Sequence, residues 1–209
     1  MINITFLADT HGVHRYTSLR GGDILIIGGD IFDINQTLPP ENIAEWLLKV
    51  PYTYKFIIPG NHDKKLEIFP KIKNTFILNH NDITISDFSI YGAPAIILQE
   101  DTEEFSYKTC TEEELKKRLP NKKYDILVTH GPPKGILDIK QGKNVGSNSL
   151  YEYIQNYPPK YHLFGHAHHS KGIFKNKKTT FINGSIVENP SFPYINNFPV
   201  NIIYDPNIT

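Results

Sequence analysis

The sequence predicts an α/β (α+β sandwich) protein: two mixed β-sheets packed face to face and flanked by helices, with the chemistry at the carboxyl ends of strands. Three observations predict it. Short apolar, β-branched runs recur along the chain, most of them continuous rather than alternating, as strands buried on both faces are. Longer stretches with apolar residues at helical spacing lie between some of these runs. Asp, Asn and His gather just beyond the ends of the runs, where layered α/β folds hold their ligands.

Ile2–Ala8 is the first strand, followed by Asp23–Ile27 and Tyr54–Ile58. Between the last two, Pro40–Val50 reads as a helix with acidic residues early and Ile43, Ala44, Leu47 and Leu48 on one face. Asp82–Ile85 and Ser89–Tyr91 read as a strand pair. Thr111–Leu119 is a second helix; Thr111 with Glu114 forms the capping-box pattern, and Pro120 stops it. Strand Asp125–Thr129 precedes a third helix, Ser147–Gln155, which follows Gly146 and carries Leu150 and Ile154 on one face. Tyr161–Phe164, Thr179–Ile182 and Val200–Tyr204 are the closing strands. Gln99–Thr111, acidic and weakly periodic, reads as a surface insertion or cap, and Glu188–Pro199, rich in Pro and Asn, as a loop. This order contains no repeat and fits a single domain over residues 1–209.

Lys plus Arg (22) balances Asp plus Glu (22), so no overall field draws the protein to a nucleic-acid polymer or an anionic membrane. A single cysteine, Cys110, excludes an intramolecular disulfide and makes a cysteine-ligated zinc site implausible; its thiol reads as incidental. The longest apolar runs, such as Ile24–Ile27 and Ala95–Leu98, are far too short to span a bilayer. The sequence starts on a strand rather than on a basic, apolar leader, so the expectation is a cytoplasmic protein. Nothing in the sequence fixes an oligomeric state.

Five blocks carry the chemistry. Asp9-Thr10-His11-Gly12 follows the first strand, and Gly28-Gly29-Asp30, with Asp33 close behind, follows the second. Gly60-Asn61-His62-Asp63 follows the third; His130-Gly131-Pro132-Pro133 and Gly165-His166-Ala167-His168 follow later strands. Any one block reads equally well as a turn with a surface histidine. Five of the nine histidines at the same kind of position do not. A pair of divalent ions needs a bridging carboxylate inside a shell of neutral imidazoles and amide or carboxylate oxygens, and the glycines let the backbone come close. Imidazole with carboxylate suits Mn, Fe, Zn, Ni or Co rather than Ca. A water between two such ions loses a proton near neutral pH and becomes a nucleophile.

In this order, from residue 9 to 168, the blocks resemble the calcineurin-like metallophosphoesterases. The resemblance implies that Asp9, His11 and His168 bind one metal ion, that Asn61, His130 and His166 bind the other, and that Asp30 bridges them. Of the candidate metals it favours Mn. It also implies that His62 is the general acid beside the leaving-group oxygen, oriented by Asp33 in a His62–Asp33 dyad, with Asn61 and His62 touching substrate. Asp63 stands where many members carry Glu. A narrower likeness, from residue 9 to about 185, is to the small metallophosphoesterase-domain-containing proteins related to class III cyclic nucleotide phosphodiesterases. It rests on Asp9-Thr10-His11, Ile57–His62, Ile90–Pro94, Asp125–Pro133, Gly146 with Leu150, His162–His168 and Thr179–Asn183.

Phosphoprotein phosphatases of that superfamily follow the dyad Asp with an Arg that clamps the phosphate, whereas Ile34 follows Asp33 here. A dianionic monoester gains most from such a clamp. The expectation is therefore a phosphodiesterase for a small nucleotide, a 2′,3′- or 3′,5′-cyclic one first. A phosphomonoesterase, protein phosphatase or nuclease of the same superfamily is the alternative among enzymes, and a metal-loaded binding scaffold the alternative among non-enzymes. Arg15, His14 and Lys134 lie near the blocks as weaker phosphate contacts, although solvated loop residues are the commoner reading. His169 either extends the metal site or stands exposed; His80 and His162 read as structural.

Overall fold

The computed structural model describes residues 1–98 and 107–206. Its first half contains β1 (Ile2–Leu7), β2 (Gly22–Ile27), α1 (Pro40–Lys49), β3 (Tyr52–Ile57), β4 (Thr75–Ile77), β5 (Asn81–Ile85), β6 (Phe88–Ala93) and the short β7 (Ile96–Ile97). Then follow β8 (Thr109–Cys110), α2 (Glu112–Arg118), β9 (Ile126–Thr129), β10 (Ile139–Lys140), β11 (Lys143–Asn144), α3 (Asn148–Asn156), β12 (Tyr161–Phe164), β13 (Gly172–Lys175), β14 (Thr180–Asn183) and β15 (Val200–Tyr204). Of the expected insertion at 99–111, residues 99–106 lie outside the described residues, and Thr109–Cys110 pairs in parallel with Ile96–Ile97.

One sheet has the order β15-β1-β2-β3-β4, the other β13-β14-β12-β9-β6-β5. Strands β1 to β4 run parallel, as do β6, β9, β12 and β14; antiparallel partners sit only at the edges, where β15 joins β1, β13 joins β14 and β5 joins β6. Both sheets are mixed, as expected. The continuous apolar runs are explained by β2, where successive side chains point to opposite faces. Ile24 and Ile26 join Phe6 and Phe56 against Ile90, Val128 and Leu163 of the other sheet. Leu25 and Ile27 instead pack under Ile43, Trp46 and Leu47 of α1. On the far side, Leu127 and Phe164 are covered by Leu115 of α2 and by Leu150 and Ile154 of α3. The result is four layers, helix on sheet on sheet on helices.

The capping box forms as expected: the Thr111 hydroxyl accepts the Glu114 amide at 3.2 Å, and the Glu114 carboxylate accepts the Thr111 amide at 2.9 Å. Two strands of the large sheets carry no expected run. Thr75–Ile77 is only three residues long, and Gly172–Lys175 is an edge strand whose last three residues are exposed, so neither shows a buried pattern. Glu188–Pro199 is a loop, as expected. Among the described residues, no helix is long and apolar enough to cross a membrane.

Candidate metal centre

The loops leaving β1, β2, β3, β9 and β12 bring their side chains together. Asp9, His11, Asp30 and His168 each offer a ligand atom within 4.8 Å of the others, and Asp30, His130 and His166 do the same, so Asp30 belongs to both groups. His11 Nε2 lies 3.4 Å from His168 Nε2 and 3.8 Å from Asp30 Oδ2. Asp9 Oδ1 lies 3.5 Å from His168 Nε2. On the other side, His130 Nε2 is 3.4 Å from Asp30 Oδ2 and 3.2 Å from Asn61 Oδ1.

This arrangement fits a pair of cations. Ligands about 2.0–2.2 Å from an ion stand roughly 3–3.6 Å from one another, close to the spacings found here. The buried Nδ1 of His166 has no hydrogen-bond partner, leaving a lone pair for an ion. The donor set of imidazole, carboxylate and amide, without thiolate, suits first-row divalent metals.

The charges agree. Burial pulls the His11 pKa down to about 4 and holds His166 well below the usual range, so both imidazoles are neutral donors. Burial works against ionising Asp9 and Asp30, yet His168 beside the first and His130 beside the second outweigh it and keep both carboxyls below their ordinary range. Burial also opposes a proton on His130, but the Asp30 carboxylate overcomes this and pushes its pKa up to about 9. Two buried carboxylates thus call for positive charge between them.

Hydrogen bonds orient the donors. His130 Nδ1–H donates to the Gly28 carbonyl at 2.8 Å, which turns Nε2 toward Asp30. Asp9 Oδ2 accepts the Ser185 hydroxyl at 2.6 Å and the His166 amide at 3.0 Å. Asp30 Oδ1 accepts the His62 amide at 2.9 Å. The Asp63 carboxylate accepts four amides, from Asp30 (2.7 Å), Gly60 (2.8 Å), Ile31 (2.9 Å) and Phe32 (3.1 Å), and so stitches two metal loops together. Burial and the Asp30 charge raise the Asp63 pKa, to about 7, while its amide donors work the other way.

The backbone is bent to suit. Asp9, His11, Asp30 and His166 have φ of 55°, 41°, 51° and 66°, a left-handed region that costs each non-glycine residue roughly 1–3 kcal/mol. Gly29 has φ +95°, and a side chain there would overlap His130 Nδ1.

The seven expected ligands come together, and His62 lies beside them, half-buried, its ring 5.4 Å from that of His11. The expected His62–Asp33 dyad is not formed. Asp33 accepts the Thr37 amide and hydroxyl and the Leu38 amide, each at 2.8 Å, because the turn leading into α1 presents those donors to it. Arg15 is directed to α1, where it donates to the Asn42 carbonyl at 3.3 Å and pairs with Glu45 at 3.7 Å. Lys134 is exposed, as is His169. His14 offers no phosphate contact, because it is fully buried with its ring edge-on to Trp46. His80 and His162 are structural: their rings face Tyr91 and Thr129. Sequence reasoning missed the linking roles of Asp63 and Ser185; the acidic residue closing the Gly60–Asp63 block and the Gly-Ser after the β14 run were the available signals.

The sheet sandwich with a donor cluster at its strand ends defines a metallophosphoesterase-type fold. The sequence matches the family described as calcineurin-like phosphoesterase over residues 2–170. The chain belongs to that family. It is 29% identical over 213 residues to human metallophosphoesterase domain-containing protein 1, a match covering 86% of this chain and 64% of that protein, so the chain spans somewhat less than two thirds of that relative. It is 27% identical to a UPF0046 protein of Caenorhabditis elegans, covering 88% of this chain and 69% of that one. In fold it is similar to the phosphopantetheinyl hydrolase of Mycobacterium tuberculosis, with a TM-score of 0.61, 14% identity and coverage of 99% and 98% of the two chains.

Proposed function

We propose that residues 1–209 form a single catalytic domain, a dimetal phosphodiesterase acting on small nucleotides, cyclic ones first, with Mn as the favoured metal. The observation that carries the diester reading is Ile34, which follows Asp33 where a phosphate-clamping Arg would stand. A monoanionic diester depends less on such a clamp than a dianionic monoester does.

Asp9, His11 and His168 would hold one ion and Asn61, His130 and His166 the other, with Asp30, which belongs to both donor groups, shared between them. The ions, when bound, polarise the phosphoryl oxygens and activate water. The chain supplies the rest. Asp30 fixes the His62 amide, and among the described residues the His62 ring has no hydrogen-bond partner, so it is free to give a proton to the leaving-group oxygen. Asn61, half-buried beside His130, meets the substrate from the same loop.

The test pairs bis(4-nitrophenyl) phosphate with 4-nitrophenyl phosphate, using Mn-reconstituted protein. Diester turnover should dominate, and a panel of cyclic and linear nucleotides then ranks the natural classes. Monoester turnover far above that of the diester would replace this reading with a phosphomonoesterase.

A further inference from the structure

We infer that the outer edge of β13 (Gly172–Lys175) is a docking site for an acidic, extended segment of a partner protein, which adds to the sheet as a further strand. The docking involves no group of the metal centre and stands whether or not the phosphoester reading does.

β13 closes one side of its sheet: β14 pairs with it, and among the described residues no strand lies beyond it. Opposed residues of an antiparallel pair alternate between hydrogen-bonded and non-hydrogen-bonded. At the hairpin end the Asn176 amide donates to the Thr179 carbonyl at 3.1 Å, and the Thr180 amide turns the other way, to the Lys160 carbonyl at 2.9 Å. Phe174 opposite Phe181 is therefore a bonded pair, while Ile173 opposite Ile182 and Lys175 opposite Thr180 are not. The N–H and C=O groups of Ile173 and Lys175 thus point out of the sheet. Two donors and two acceptors stand there at the spacing an added strand uses.

The edge also offers apolar surface on both faces. Ile173, on the face toward the other sheet, is 62% exposed, and Phe174, on the helix face beside Phe181, is 47% exposed. The opposite edge of the same sheet, β5, is different: its exposed residues are Asn81, Asp82 and Thr84, and Asp82 is already paired with Lys122 at 2.9 Å.

Charge selects the strand. Between Tyr153 and Val187 the chain has no acidic residue, but it has Lys171, Lys175, Lys177 and Lys178 on and around β13. The last three are exposed, and among the described residues none of them has an ion pair. Lys177 and Lys178 also line, with Ile154 and Pro158, a groove of about 240 Å³ between the hairpin turn and the end of α3. Edge lysines keep a strand from pairing with a second copy of itself, because like charges then face each other. The same lysines favour a strand whose side chains alternate Glu or Asp with apolar residues.

The test is fluorescence anisotropy of the full chain with a labelled peptide of about ten residues alternating Glu and Val. Binding should saturate and weaken as salt rises. It should vanish for the peptide with Lys in place of Glu, and for the Glu peptide with alternate amides N-methylated, which keeps the charge but removes ladder hydrogen bonds. Hydrogen exchange of the Ile173 and Lys175 amides should slow in the complex. Lys175→Glu combined with Lys177→Glu should weaken binding about tenfold. Ile173→Pro removes an outward N–H without touching the β13–β14 bonds and should abolish binding. Should that proline lower the melting temperature, the charge variant and the N-methylated peptide still decide. No binding of the Glu peptide, or equal binding of the Lys or N-methylated peptide, would overturn the inference. So would a concentration-dependent dimer that Ile173→Pro disrupts, because the occupant would then be a second copy of this chain.

Discussion

Asp63 and Asp30 hold each other in place: Asp63 Oδ2 accepts the Asp30 amide at 2.7 Å, and Asp30 Oδ1 accepts the amide of His62, the residue before Asp63, at 2.9 Å. The carboxylate shared by both donor groups is thus positioned by a second carboxylate on another loop. Asp63 has no exposed surface, and its remaining donors, Gly60, Ile31 and Phe32, belong to the same two loops. The length of an aspartate suits this task; the shorter side chain bridges the loops through their amides.

Asp63→Ala should be among the most destabilising single changes near the site. It strands four amides in a buried place, each worth about 1–3 kcal/mol if left unpaired, so a loss above roughly 3 kcal/mol is expected even after relaxation. Asp63→Asn keeps one acceptor oxygen and should fall between. Urea unfolding of the three proteins decides, and an alanine variant within about 0.5 kcal/mol of wild type would remove Asp63 from this role.

Ser185→Ala should act on the metal rather than on the fold. The hydroxyl donates to Asp9 Oδ2 at 2.6 Å, and such supports are worth about 10–100-fold in metal affinity. Mn titration of metal-free protein should show that loss, with the melting temperature nearly unchanged. Equal Mn affinities would mean that the His166 amide alone orients Asp9.

Much of this was legible because metal ligands at strand ends leave a local mark. Asp9, His11, Asn61, His130, His166 and His168 each sit a few residues past an apolar run. The supports are not local. Asp63 works through amides some thirty residues earlier, and Ser185 through a carboxylate at the other end of the chain. The Asp33 expectation failed for the opposite reason, because the local turn at Thr37 and Leu38 satisfied its carboxylate. Edge strand Gly172–Lys175 was hidden because exposed edges need no apolar run.

His62→Ala and Asp33→Asn should therefore part company. Loss of the His62 imidazole should lower kcat on the diester by about 10²–10⁴ while Mn content holds. Asp33→Asn should leave kcat within about threefold and instead cost roughly 1 kcal/mol of stability, since its carboxylate caps the turn into α1. A kcat for Asp33→Asn as low as that for His62→Ala would restore the dyad.

His162 should give the fold an acid-side weakness that is independent of the metal. Its ring is fully buried between Phe164 and Phe181, at centroid distances of 4.8 and 5.9 Å. The Thr129 hydroxyl donates to the Gly131 carbonyl at 2.6 Å, so it accepts from His162 Nε2–H at 2.8 Å, and Nδ1 faces no partner. Burial pulls the pKa from 6.5 to about 3. The unfolded chain takes up a proton below 6.5 that the folded chain refuses until about 3, so the stabilising contribution is complete above 6.5 and is lost as pH falls toward 3. Metal-free wild type should lose stability across that window more steeply than metal-free His162→Leu, by about one proton, or about 1.4 kcal/mol per pH unit. Parallel pH profiles for the two proteins would show that His162 carries its proton inside the fold.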